Sequence, residues 1–131
     1  MRLLLDTHIA IWAVLRDARL SKAGYGLIVA PGNDILVSVA SLWEIAIKHA
    51  LNRGGRTDMP VSAREARSSF LEAGFRILAI SDEHALAIEA LPMLHADPFD
   101  RLIVAQALTE PARLLTHDTR VAAYSDTIIA V

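Results

Sequence analysis

Five short apolar runs constrain this chain most: residues 2–5, 35–39, 76–80, 113–116 and 127–131. Each is strand length, and helical periodicity fills the stretches between them. Strands that alternate with helices cannot close into hairpins, and a run apolar at consecutive positions is one covered on both faces. The pattern therefore predicts an α/β chain: a three-layer α/β/α domain around a mostly parallel central sheet of about five strands.

The helical stretches have recognisable ends. Thr7 begins one in which Ile9, Trp12 and Ala13 recur at helical spacing, and Ser21 opens a second that Pro31-Gly32 closes. A third starts at Ser41, carries Leu42, Ile45, Ala46 and His49 on one face, and stops at Gly54-Gly55. Residues 62–73 form a fourth, ended by Gly74. Ser81 caps a fifth, with Asp82 and Glu83 in its first turn, and Pro92 stops it. The sixth begins in the segment "HADPFDRLIVAQA" and runs to Pro111. There Asp97 is a good N-cap and Pro98 suits the first helical position.

At 131 residues, 53% hydrophobic but only 5% aromatic, a single domain over 1–131 with an aliphatic core is expected. No apolar run approaches the roughly 18 residues a membrane span needs. Asp6 interrupts the N-terminal apolar run too early for a signal peptide. Without cysteine there is neither a disulfide framework nor a thiolate metal site. These points lead to the expectation of a cytoplasmic protein with no membrane partner. The net charge of −2 does not advertise nucleic-acid binding. Lys48, Arg53, Arg56, Arg64 and Arg67 form the one candidate basic patch, whose plainer reading is a solvated charged face.

In open parallel sheets, ligands bind beyond the carboxyl ends of the strands. Asp6 follows the first strand directly, Glu44 lies in the first turn after the second, and Asp118 sits just past the fourth. Asp100 lies in the first turn of the helix leading into that fourth strand. Each has a plainer role: Asp6 and Asp118 as helix caps, Glu44 as partner in a Ser41-x-x-Glu44 capping box, Asp100 as an acid favoured by the helix dipole. Together they are harder to dismiss. Two carboxylates about 5 Å apart at an effective dielectric near 20 repel by about 3 kcal/mol, so four in one site must shed charge or bind a cation. Oxygen ligands favour Mg²⁺ or Mn²⁺.

Four segments, "LLLDTHIAIW" (3–12), "SLWEIAIK" (41–48), "DPFDRLIVAQA" (97–107) and "LLTHDTR" (114–120), resemble PIN-domain ribonucleases, in particular the VapC toxins of bacterial toxin–antitoxin pairs. The resemblance spans essentially the whole chain, in the family's order. It implies that Asp6, Glu44, Asp100 and Asp118 are the catalytic, metal-binding acids, with Asp6 and Asp100 the principal ligands. It also implies that the Thr116 hydroxyl steadies a carboxylate or a metal-bound water, while Asp97 only caps its helix.

The activity so implied is Mg²⁺- or Mn²⁺-dependent endoribonuclease cleavage of single-stranded or looped RNA, in a homodimer partnered by a VapB-like antitoxin. Such an antitoxin would occlude the acidic pocket, often with an arginine. His8 and His117 are then structural neighbours of the acids. Trp12 and Trp43 are candidates for interfaces, with core packing the plainer reading, above all for Trp43. Residues 52–60 are expected to set the RNA target. Two other readings stay open: a silent PIN-like module binding RNA or protein, and a phosphatase with Asp6 as nucleophile. The phosphatase is disfavoured by His8, where an acid is wanted, and by the lack of any lysine after Lys48.

Overall fold

A computed structural model describes residues 1–51 and 59–131. The described elements are β1 (Arg2–Leu5), α1 (Thr7–Leu15), α2 (Lys22–Val29), β2 (Asp34–Ser38), α3 (Val39–Ala50), α4 (Ala63–Glu72), β3 (Arg76–Leu78), α5 (Asp82–Ala87), α6 (Pro98–Thr109), β4 (Arg113–Thr116), α7 (Thr119–Ala122) and β5 (Ile129–Ala130). A 3₁₀ turn, Ile88–Ala90, follows α5. The strands form one sheet in the order β3-β2-β1-β4-β5.

Every pairing in that sheet is parallel, with Leu3 opposite Ile35, Leu5 opposite Val37 and Leu115, and Thr116 opposite Ala130. From β1 the chain winds outward through β2 and β3, then returns to the other side of β1 for β4 and β5. The winding reverses between β1 and β4, and beyond such a reversal the carboxyl ends of the strands leave a crevice.

Leucines 3, 4 and 5 show why the strand runs are apolar at every position. Leu3 and Leu5 face a cluster containing Ile9, Ile45 and Phe70, whereas Leu4 faces Ile103, Val104 and Leu114 on the other side of the sheet. All three are fully buried. Burying a leucine side chain contributes about 1.5–3 kcal/mol. Gly74, at φ +83, supplies the left-handed turn that ends α4 and lets the chain enter β3.

Several boundaries differ from expectation: β2 is Asp34–Ser38 rather than 35–39, α3 ends at Ala50 and α5 at Ala87. The third and fifth strands are shorter, at Arg76–Leu78 and Ile129–Ala130; they lie at the two edges of the sheet, each paired on one side only. The third helix starts earlier than Ser41. Its N-cap is Ser38, whose Oγ accepts from the Ala40 N–H at 2.9 Å and donates to Gln106 Oε1 in α6. Glu44 is therefore well inside α3, and no Ser41–Glu44 capping box exists.

The buried face of α3 also differs, consisting of Ala40, Ser41, Glu44 and Ile45, with Ala46 exposed. Trp12 packs in the core, its plainer reading, whereas Trp43 does not. Trp12 is buried at 8% exposure, while Trp43 is 57% exposed. Of the candidate basic patch, Arg64 and Arg67 are exposed on α4. Arg53, Arg56 and residues 52–58 of the expected specificity loop lie outside the described residues.

Candidate metal centre

The carboxyl ends of β1 and β4 and the first turns of α1, α6 and α7 meet at a cleft of about 660 Å³. Asp6, Glu44, Asp97, Asp100 and Asp118 all line it, against three fixed cations, Arg19, Lys48 and Arg120. The strand–helix junctions explain the gathering. Asp6, Asp97 and Asp118 are N-caps of α1, α6 and α7, accepting from the N–H groups of His8, of Phe99 and Asp100, and of Arg120 respectively. Capping and clustering are thus not alternatives for Asp6 and Asp118; they do both.

Asp6 is buried. Its Oδ2 accepts from Thr116 Oγ1 at 2.7 Å, and that hydroxyl oxygen in turn accepts the Asp118 N–H at 3.0 Å. One threonine therefore joins the two acids across the β1–β4 boundary. Burial raises the pKa of Asp6, opposed by the Thr116 hydrogen bond and the His8 charge.

Glu44 enters from α3 and is 3% exposed. Its Oε1 accepts from Thr7 Oγ1 at 2.8 Å, and its Oε2 accepts from Lys48 Nζ at 2.6 Å. Because the single Thr7 proton goes to Glu44, the 2.8 Å contact between Thr7 and Ser41 hydroxyls has Ser41 as donor. Ser41 thus orients Glu44 through Thr7. Burial works against the Lys48 ammonium, but Glu44 outweighs it and leaves the lysine pKa raised.

Asp100 is also shifted upward. Burial first, then the charges of Asp6 and Asp97, push its pKa up to about 7, despite a hydrogen bond from His95. That bond joins His95 Nε2 to Asp100 Oδ2 at 2.7 Å, and the same nitrogen lies 3.8 Å from Asp118 Oδ2. For Asp118, partial burial raises the pKa, but its hydrogen bonds with Arg120 prevail and hold it below the usual carboxylate value.

His95 is the functional candidate that the sequence reading passed over. It precedes the Asp-Pro-Phe-Asp run by two residues, but its approach to Asp118 is set by tertiary structure. Among the described residues, one ligand atom each from His95, Asp100 and Asp118 lies within 4.8 Å of the others. Asp6 joins this group through Thr116, and Glu44 lines the same cleft from the α3 side.

The donor set fits a hard divalent cation: carboxylate oxygens and one imidazole, with no thiolate. The charge state fits as well. Raised pKa values at Asp6 and Asp100 mean that their ionised forms are penalised, which a bound cation would relieve. Lys48 and Arg120 already offset part of this charge, Lys48 from Glu44 and Arg120 from Asp118.

Comparison with known proteins gives a consistent result. A family model described as "PIN domain" matches residues 3–126. The fold is similar to VapBC2 from Rickettsia felis bound to a DNA fragment from its promoter, at 18% identity over 100% of this chain and 98% of that one, TM-score 0.70. It is also similar to VapBC-5 from Mycobacterium tuberculosis, described as a member of the VapBC family of toxin–antitoxin systems, at 20% identity over 99% and 97%, TM-score 0.66. A third likeness is to VapBC-1 from nontypeable Haemophilus influenzae, at 19% identity over 100% and 97%, TM-score 0.62. No curated protein matches the chain. With a family model covering nearly its full length, and an acid-lined cleft at the β1–β4 boundary, the chain belongs to the PIN domain family.

Proposed function

We propose that this protein is a Mg²⁺- or Mn²⁺-dependent endoribonuclease and the toxin of a toxin–antitoxin pair. The observation that carries the reading is the convergence of Asp6, Glu44, Asp100 and Asp118 on one cleft, with Thr116 hydrogen-bonded between two of them. Membership of the PIN family and likeness to structures described as VapBC support it. Asp6, Glu44, Asp100 and Asp118 hold the metal, with His95 beside Asp100 and Asp118. What a divalent ion supplies when bound is Lewis acidity, giving a more acidic water and a counter-charge for the phosphodiester.

The chain's own groups prepare that site. Thr116 fixes Asp6 relative to Asp118, while Ser41 and Thr7 fix Glu44, so the carboxylates are oriented before substrate arrives. Lys48 and Arg120 stand at the cleft as cations for the RNA backbone. Asp97 serves as a helix cap.

The proposed partner is a VapB-like antitoxin that presents a guanidinium to the same acids, since an arginine fork matches a carboxylate cluster as a cation does. The proposed assembly is a homodimer. On α3, Val39, Trp43 and Ile47 are exposed at spacings of four, and Phe99 packs its ring 5.0 Å from Trp43. Among the described residues no helix is long and apolar enough to cross a membrane, in keeping with a cytoplasmic location. The silent-module reading ranks second, because all four acids are present and share one cleft.

Purified protein incubated with end-labelled total RNA tests the proposal directly. In Mg²⁺ or Mn²⁺ it should yield discrete fragments that disappear in EDTA and with Asp100→Asn. Fragments that persist with Asp100→Asn would overturn the mechanism. Binding of RNA without cleavage in either metal would favour the silent module.

A further inference from the structure

Part of the cleft lining is planar and cationic in a way that metal binding does not explain. His8, Trp12, Arg19 and His117 all line it. Trp12 is the buried centre of this group. The His8 ring centroid lies 5.9 Å from the Trp12 centroid with the planes at 48°, and that of His117 lies 5.4 Å away at 73°. The Arg19 guanidinium carbon stands over the indole, 5.0 Å from its centroid.

The groups are anchored separately. His117 donates from Nδ1 to the Val131 carbonyl at 2.8 Å, which fixes both its ring and its tautomer. Arg19 is gripped by Asp17 through Nε at 3.1 Å and Nη2 at 2.7 Å, yet its side chain is 66% exposed. His8 is half-buried on the first turn of α1. Covering one tryptophan does not require three planar groups that all reach the cleft.

Imidazole rings and guanidinium planes are surfaces on which unpaired bases stack, and planes already held in position lose little freedom when they do so. His8 and His117 are two and one residues from Asp6 and Asp118, so a base stacked on them belongs to a nucleotide adjoining the phosphate at the acids. Bases in a duplex are already stacked on one another and cannot use such a surface. We infer that His8, His117 and Arg19, set around Trp12, form a nucleobase-stacking shelf that admits RNA with unpaired bases beside the cleaved phosphate. This rests on the nuclease reading, which already takes single-stranded or looped RNA as the substrate, and adds the residues that hold its bases.

The test measures equilibrium binding in the Asp100→Asn background, in Mg²⁺, by fluorescence anisotropy. The probes are a labelled oligoadenylate, an abasic ribose-phosphate chain of equal length, and a fully paired RNA duplex. His117→Ala removes one plane, and Arg19→Lys keeps the charge while removing another. Each should weaken oligoadenylate binding by about tenfold and change abasic binding by less than about twofold. The duplex should bind no better than the abasic chain. Equal losses for both single-stranded probes, or no loss for either, would overturn the shelf, with thermal melts of the variants identifying any loss of fold. Cleavage by the parent protein is scored separately. If it cuts RNA while the variants weaken both probes alike, the shelf fails and the nuclease reading stands. If it cuts no RNA in any metal while binding still depends on bases, the nuclease reading fails and the shelf stands.

Discussion

Two cavities of nearly equal size sit at opposite ends of the strands, and they differ in almost everything except volume. The acid-lined cleft holds about 660 Å³; the other, of about 670 Å³, lies among the C-terminal ends of α1, α2 and α4 and the starts of β2 and β3. Helix N-termini surround the first, and their dipoles favour anions there. Helix C-termini surround the second. Its lining includes Ile28, Ile35 and Phe75, and its ionic groups are few: Arg16, Glu72 and an Asp34 already paired with Arg76 at 2.8 Å. What marks the first cavity as a site is the convergence of five carboxylates with raised pKa values at Asp6 and Asp100.

The largest expected effect that separates the two cavities is on cleavage. Asp100→Asn should reduce single-turnover RNA cleavage by about a thousandfold or more, the scale of a lost metal contribution, whereas Glu72→Gln in the other cavity should leave it within about twofold. Comparable losses from both would erase the distinction.

Next comes the hydroxyl that joins two acids. Thr116→Val should weaken Mn²⁺ binding by about 10- to 100-fold, the usual cost of losing a partner that orients a ligand, and added metal should recover much of the activity. If the loss persists at saturating metal, Thr116 acts in some other way.

A smaller effect concerns stability and runs opposite to that on activity. The folded pKa of Asp100, about 7, lies above its ordinary 3.8. Between those values Asp100 binds more protons in the folded state than in the unfolded one, so its contribution to the stability of the metal-free protein falls as pH rises from about 4 to about 7. Asp100→Asn should flatten this slope and raise the melting temperature of the metal-free protein near neutral pH by a few degrees. Mg²⁺ should instead stabilise the parent protein. A parent protein whose melting temperature in EDTA rises over that pH range, with Asp100→Asn leaving the trend unchanged, would contradict the assignment.

Much of this was legible in the residue pattern, for a physical reason. Strands covered on both faces must be apolar throughout, so 2–5 and 113–116 declared themselves along their whole lengths, and the acids just after them followed from topology. Edge strands have pairing on one side only, and there the apolar runs overshot the sheet. On α3, three hydroxyl-bearing or small residues compete to start the helix, and the buried face includes a charged residue. The apolar residues pointed to a face of Leu42, Ile45, Ala46 and His49 with Trp43 packed in the core; the observed face instead includes Ser41 and Glu44, the latter held by Thr7 and Lys48, and Trp43 is exposed. His95 could not be read because its position beside Asp118 depends on how α6 packs against β4 and α7.

The most direct measurement is calorimetric titration of Mn²⁺ into metal-free parent, Asp100→Asn and Glu72→Gln proteins. If the cleft beyond β1 and β4 is a metal centre, the parent and Glu72→Gln bind alike and Asp100→Asn loses at least about tenfold in affinity. Equal binding by all three would contradict the account, for the ion would then reside somewhere other than the acids that converge there.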